Sequence, residues 1–149
     1  MDFESKILSR EISQLLWERE QTLGTAESCT GGRIAEAIIA IPGASKYFKG
    51  GIVSYVDEVK ENLLGVNHDV IEEQTAVCEE VARQMVVGAC RSLNTDFAIA
   101  ATGYAGPTGG PKNIPDKDNP GKTKIIETSS FTKVVCNSKC PKYNTVDNG

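Results

Sequence analysis

Histidine is nearly missing from this chain: His68 is the sole imidazole in 149 residues. That scarcity narrows the chemistry, because serine and cysteine nucleophiles most often rely on histidine as their base. Cysteines at framework spacing are also missing. The five present (Cys29, Cys78, Cys90, Cys136 and Cys140) are odd in number and scattered, which fits reduced thiols in a cytoplasmic protein. Cys136 and Cys140 have no further ligand nearby in sequence, so no metal site is expected. No apolar run approaches bilayer length, and no membrane partner is expected. The opening "MDFESKILSREISQ" is acidic and amphipathic, unlike a signal peptide. Basic charge is in deficit too. A formal net charge of −4 argues against a nucleic-acid partner.

What is present is enough apolar material for one real core, with 40% hydrophobic residues. Charge is unevenly spread. Residues 111–149 hold seven Lys against four acidic residues, so the first 110 residues carry all the negative excess. This divides the chain into a core domain over 1–110 and a divergent tail over 111–149, read as edge strands or partly disordered.

Hydrophobic spacing predicts a helix over 3–20, with Phe3, Ile7, Leu8, Ile12, Leu15 and Leu16 as its apolar set. "TLGTAE" (22–27) reads as a buried strand. Gly31 and Gly32 open a helix carrying Ile34, Ala35, Ile38 and Ile39, which Pro42 and Gly43 end. "GGIVSY" (50–55) is a second strand, 57–64 a short helix stopped by Gly65, and 77–93 a helix with Val81, Met85, Val86 and Ala89 on one face. "DFAIAAT" (96–102) is a third strand, closed by the glycine-rich loop "GYAGPTGG". In the tail, "TKIIET" and "FTKVVC" read as edge strands and "NPGK" as a hairpin turn. The alternation implies an α/β fold, a sandwich around a mostly parallel sheet. Sites in such sheets gather beyond the carboxyl ends of strands. Here the three core strands end in Glu27-Ser28, Ser54-Tyr55 and Thr102-Gly103.

"TAESCTGGRIAEAI" is the densest of these ends. A hydroxyl or thiol at a strand-to-helix turn sits where backbone N–H groups and the helix dipole converge. That suits a nucleophile with an oxyanion hole, or a phosphate cradle. An N-cap at Ser28 or Thr30 with a glycine turn is the commoner use of such a stretch. Chemistry alone leaves Ser28 and Cys29 as rival nucleophiles. For a base, His68 lies in an Asn-His-Asp segment that reads as a solvated turn. A lysine of lowered pKa is the alternative. Lys60 follows Tyr55 by five residues and can return to the strand end, although a surface residue paired with Asp57 or Glu61 is the plainer reading. The Thr102 hydroxyl and the amides from Gly103 to Gly106 form a candidate anion nest, or only a tight connection.

Three segments, "TAESCTGGRIAEAI", "IPGASKYFKGGIVSYVDEVKENLLGV" and "AATGYAGPTGG", together resemble the C-terminal domain of the competence/damage-inducible CinA proteins. The resemblance runs from about Thr22 to Gly110. That domain also occurs alone as nicotinamide-nucleotide amidase. The resemblance implies a three-layer α/β/α sandwich. It also implies deamidation of nicotinamide mononucleotide to nicotinate mononucleotide and ammonia, with no metal or cofactor. The implied catalytic residues are Ser28 as nucleophile, Lys60 as base and Tyr55 as relay. Thr30, Gly31 and Gly32 are implied for the oxyanion, and Thr102, Gly103 and Gly106 for the nucleotide. A binding or interaction module of the same family, without turnover, is the alternative. Two departures stand out. Cys78 replaces the family's usual Ser, at the expense of a helix cap. Beyond Gly110 the family's closing helix is missing, and the apolar surface this exposes favours a homodimer.

Overall fold

The computed structural model describes residues 2–104, and beyond them the backbone of three strands, Ile114–Pro115, Thr123–Lys124 and Phe131–Asn137. In chain order the elements are α1 (Phe3–Arg19), β1 (Leu23–Glu27), α2 (Arg33–Ile39), a single 3-10 turn (Ala44–Lys46), β2 (Phe48–Val53), α3 (Asp57–Leu64), α4 (His68–Gln74), α5 (Glu79–Leu93) and β3 (Phe97–Gly103). The three later strands are β4 to β6.

The main sheet runs β2-β1-β3-β6. β1 pairs in parallel with both β2 and β3, while β6 pairs antiparallel to β3 along Phe97↔Asn137 to Gly103↔Phe131. β4 and β5 form a separate antiparallel pair. The parallel strands need long crossovers, and the helices supply them. All five residues of β1 are buried, as a central parallel strand requires.

Strand alternation sends side chains into two cores. On one face Ala26, Ala98 and Ala100 meet Leu64, Val81, Met85 and Val86. On the other, Leu23, Phe97 and Ile99 meet Leu16, Ile38 and Tyr47. The molecule is therefore a three-layer α/β/α sandwich with a mostly parallel sheet. The alanines let α5 approach closely, and Gly88 takes this furthest. A Cβ there would run into the Leu64 carbonyl, so only glycine lets α5 cross the end of α3.

Two expectations need correction. The period of α1 is helical, but only part of its apolar set faces inward: Leu16 is buried and Ile12 packs beside it, while Phe3, Ile7, Leu8 and Leu15 are exposed. Phe3 is 77% and Leu8 57% exposed, while Ser9, Ser13 and Leu16 are buried. Ser13 donates to the Ser9 carbonyl at 2.6 Å and accepts from the Tyr47 hydroxyl at 2.7 Å, which satisfies the buried hydroxyls. The second correction is His68, which is not in a turn. It is the first residue of α4, whose N-cap Asn67 accepts from the Asp69 amide. The expected "NPGK" turn lies outside the described residues.

Candidate functional site

β1 ends at Glu27, and that residue sets the path of the chain beyond it. Its carboxylate, 1% exposed, turns into the start of α2 and accepts from the amides of Gly32, Ile34 and Ala35 at 3.2, 2.9 and 3.0 Å. A carboxylate is well matched to the orphan N–H groups and positive end of a helix. Gly31 and Gly32 adopt φ of +58° and +100°, which make the return bend from strand to helix possible. Because Glu27 does the capping, the Ser28 hydroxyl is left out of it. Sequence reasoning gave Glu27 no role. The available signal was an acidic residue just before a predicted helix start.

Ser28 is held by its own amide, which donates to the Ala101 carbonyl of β3 at 2.9 Å. Its Oγ accepts from Lys60 Nζ at 3.0 Å. Lys60 comes back from the first turns of α3, as the five-residue separation from Tyr55 allows. It is 1% exposed, so the reading as a surface residue fails. Nζ also donates to the Ser54 carbonyl at 2.8 Å and the Tyr55 carbonyl at 3.3 Å. Asp57 Oδ1 stands 3.8 Å away, beyond hydrogen-bond length. Burial lowers the Lys60 pKa below the usual lysine range; Asp57, and more weakly Cys29, pull it back up.

The geometry permits two protonation states with different consequences. A charged Lys60 can use its three hydrogens on Ser28, Ser54 and Tyr55. A neutral one can keep the two carbonyl bonds and turn its lone pair to the Ser28 hydroxyl. In that state Lys60 can accept a proton from Ser28.

Ser28 and Lys60 open onto a cleft of about 250 Å³ whose lining includes Cys29, Tyr55, Thr102 and Tyr104. Tyr55 contributes its carbonyl to Lys60, while its ring is at the rim, 71% exposed. Its phenol has no hydrogen-bond partner among the described residues. Cys29 is half-buried, and burial pushes its thiol pKa up against the opposing effect of its own amide, the Thr30 amide and Lys60. Such a thiol stays protonated at neutral pH.

Not every expected binding residue points at the cleft. The Gly31 amide donates to the Ser28 carbonyl at 3.1 Å and the Gly32 amide to Glu27, so neither is available to an oxyanion. The amides of Cys29 and Thr30 have no carbonyl partner among the described residues and lie towards the Cys29 thiol. The Thr30 hydroxyl is buried without a partner among the described residues. Thr102 lines the cleft, yet its hydroxyl donates to the Ala76 carbonyl at 2.8 Å, which ties β3 to the segment before α5 and spends the donor an anion would need. Gly103 lines the cleft as expected. Gly106 lies outside the described residues. His68 is exposed and bonded to Glu61 at 2.7 Å, and it does not line the cleft. Among the described residues no cluster of His, Cys, Asp and Glu is spaced to hold a metal, and no helix is long and apolar enough to cross a membrane.

Residues 5–117 match the family described as the CinA C-terminal domain. A CinA-like protein of Sulfurihydrogenibium is 51% identical over 104 residues, 70% of this chain and 26% of that protein. One from Leptospira borgpetersenii is 48% identical over 100 residues, 67% of this chain and 24% of its own length. The chain thus spans about a quarter of the length of these relatives. Among solved structures, the competence/damage inducible protein CihA from Agrobacterium tumefaciens superposes with a TM-score of 0.82 at 29% identity, covering 97% of this chain and 81% of that one. A CinA superfamily protein from Klebsiella pneumoniae superposes with a TM-score of 0.76 at 30% identity, covering 89% and 76%.

Proposed function

The chain belongs to the CinA C-terminal domain family, and from that premise we propose that it is an amidohydrolase releasing ammonia from nicotinamide mononucleotide. The observation that carries this reading is the 3.0 Å contact between Lys60 Nζ and Ser28 Oγ in a site without histidine. Burial favours the neutral amine, and the Ser54 and Tyr55 carbonyls aim its lone pair at the hydroxyl.

In this reading the carboxamide carbon meets Ser28 Oγ, whose proton passes to Lys60 as the C–O bond forms. The Cys29 and Thr30 amides hold the resulting oxyanion. Lys60, now charged, returns the proton to the amide nitrogen, and ammonia leaves with collapse to an acyl-enzyme. Water then attacks the ester, again losing a proton to Lys60, and the restored proton frees Ser28 and the nicotinate product. Tyr55 relays protons from the rim once substrate fills the cleft. The nucleotide's ribose and phosphate extend towards Gly103 and the loop carrying Gly106.

Ammonia release from nicotinamide mononucleotide tests this directly. Ser28→Ala is expected to lower turnover by about a thousand-fold or more, and Cys29→Ala to leave it within a few-fold. The opposite pattern would make Cys29 the nucleophile.

One observation favours a second reading. The Tyr55 phenol makes no hydrogen bond to Ser28 or Lys60 among the described residues, which suits a site that binds a pyridine nucleotide without turning it over. Calorimetric binding with no ammonia released would select that reading.

A further inference from the structure

Lys60 is the buried amine of the cleft, and its surroundings are unevenly charged. From the turn after β1, the Cys29 thiol and Ser28 hydroxyl face it. From the β2–α3 connection come the Ser54 and Tyr55 carbonyls, with the Tyr55 phenol at the rim. Tyr104 closes the far side after β3. Glu27 is turned away into α2 by three amide bonds. Asp57 is therefore the one carboxylate among the described residues lining the cleft, with Oδ1 3.8 Å from Nζ.

That distance is informative. Three acceptors closer than Asp57 already match the three hydrogens of the ammonium, so Asp57 is not needed to satisfy Lys60. Its effect is through charge. Asp57 is also half exposed, and it can change neighbours without disturbing the core.

We propose that Asp57 is a positioning residue of this site, stabilising the charged form that Lys60 adopts each time it holds the Ser28 proton. The proposal rests on the amidase reading for its kinetic consequence but not for its electrostatic one. It gives the Ser28–Lys60 pair a third member that acts on the base, at a position set by the first turn of α3.

The effect on the site is two-sided. The carboxylate favours uptake of the proton by Lys60, which helps attack. It also keeps more Lys60 charged in the resting site at lower pH, which hinders the start. Removing it should move the acid limb of the rate profile to lower pH. The plateau should fall by about five-fold, because solvent on the half-exposed Asp57 side screens much of the charge. A carboxylate serving only the helix dipole would change melting temperature and leave the profile in place.

The decisive measurement is the titration of the Lys60 Cε resonance in protein carrying ¹³C-labelled lysine, assigned by its loss in Lys60→Arg. In Asp57→Asn the midpoint is expected at lower pH than in the parent, and Asp57→Glu should restore it. An unchanged midpoint overturns the proposal. Asp57→Ser, which keeps a short polar side chain at the helix start, serves if the Asn variant does not fold. The acid limb and plateau of kcat/KM with nicotinamide mononucleotide form the second readout. If the midpoint moves but the parent protein releases no ammonia, the amidase reading fails and the Asp57 assignment stands. If ammonia is released and the midpoint stays, only the Asp57 assignment fails.

Discussion

Ser28 and Cys29 are adjacent, yet the fold treats them differently. The serine hydroxyl meets Lys60, while the thiol sits where burial keeps it protonated. Composition alone left both open, and the family pattern chose the serine. The packing adds the Ser28–Lys60 contact, which supports the serine in the proposed reaction. In the proposed reaction Lys60, as the base, makes its own demand on pH. Lys60 must be neutral to accept a proton, and burial lowers its pKa from the ordinary 10.5. Turnover should therefore rise with pH through a limb lying below the usual lysine range, and should be lost on the acid side as Lys60 becomes charged. A pH–rate profile of kcat/KM checks this, and a limb at the ordinary lysine value would contradict it. Other residue-scale features were not legible. Nothing local in "AATGY" shows that Thr102 bonds Ala76, because the partner lies 26 residues away. Glu27 left only a faint signal, an acidic residue before a helix start, since its partners exist only once the chain bends at Gly31 and Gly32.

At the scale of elements, the strong periodic signals were sound and the weak ones were not. β3 was legible because a continuous short apolar run suits a parallel sheet buried on both sides, and β1 because a short run of Thr and small residues suits the same place. The inward face of α1 was legible only at Ile12 and Leu16, because Ser9 and Ser13 take places that apolar residues usually fill, with the Ser13 hydroxyl bonded to Tyr47 and the Ser9 carbonyl. α4 escaped notice because it is short and acidic and buries only Ile71. The exchange of Ser for Cys78 was legible, and its consequence is local. Cys78 is the N-cap of α5 and makes no side-chain capping bond. Cys78→Ser should stabilise the fold by about 0.5–1 kcal/mol, read as a higher denaturant midpoint at constant m-value. Gly88→Ala should act the other way. Alanine raises helix propensity by about 1 kcal/mol, but here its methyl meets the backbone of Leu64. A net loss of about 2 kcal/mol or more is expected in the same unfolding experiment.

Across the whole molecule, the two cores, the crossed helices and the sheet end all bear on one spot. β1, β2 and β3 deliver Ser28, the Ser54 carbonyl and the Thr102–Gly103 edge to a single cleft. The first 104 residues supply these contacts, so the division near Gly110 read from charge lies beyond the machinery described. The buried lysine has a cost that the rest of the domain carries. Lys60 binds its proton less readily when folded than when unfolded. Below the folded pKa it opposes folding in full. Stability should climb as pH rises from there towards 10.5, the ordinary lysine value, where the opposition ends. Lys60→Met should flatten that part of the stability curve and raise the melting temperature at neutral pH, while ending turnover. The 3.0 Å contact between Lys60 and Ser28 thus leaves an evolutionary signature that can be sought without any substrate. If the proposed reaction holds, a lineage that has lost it should gain stability by discarding this lysine, and a survey of inactive relatives for its replacement by an apolar residue checks this.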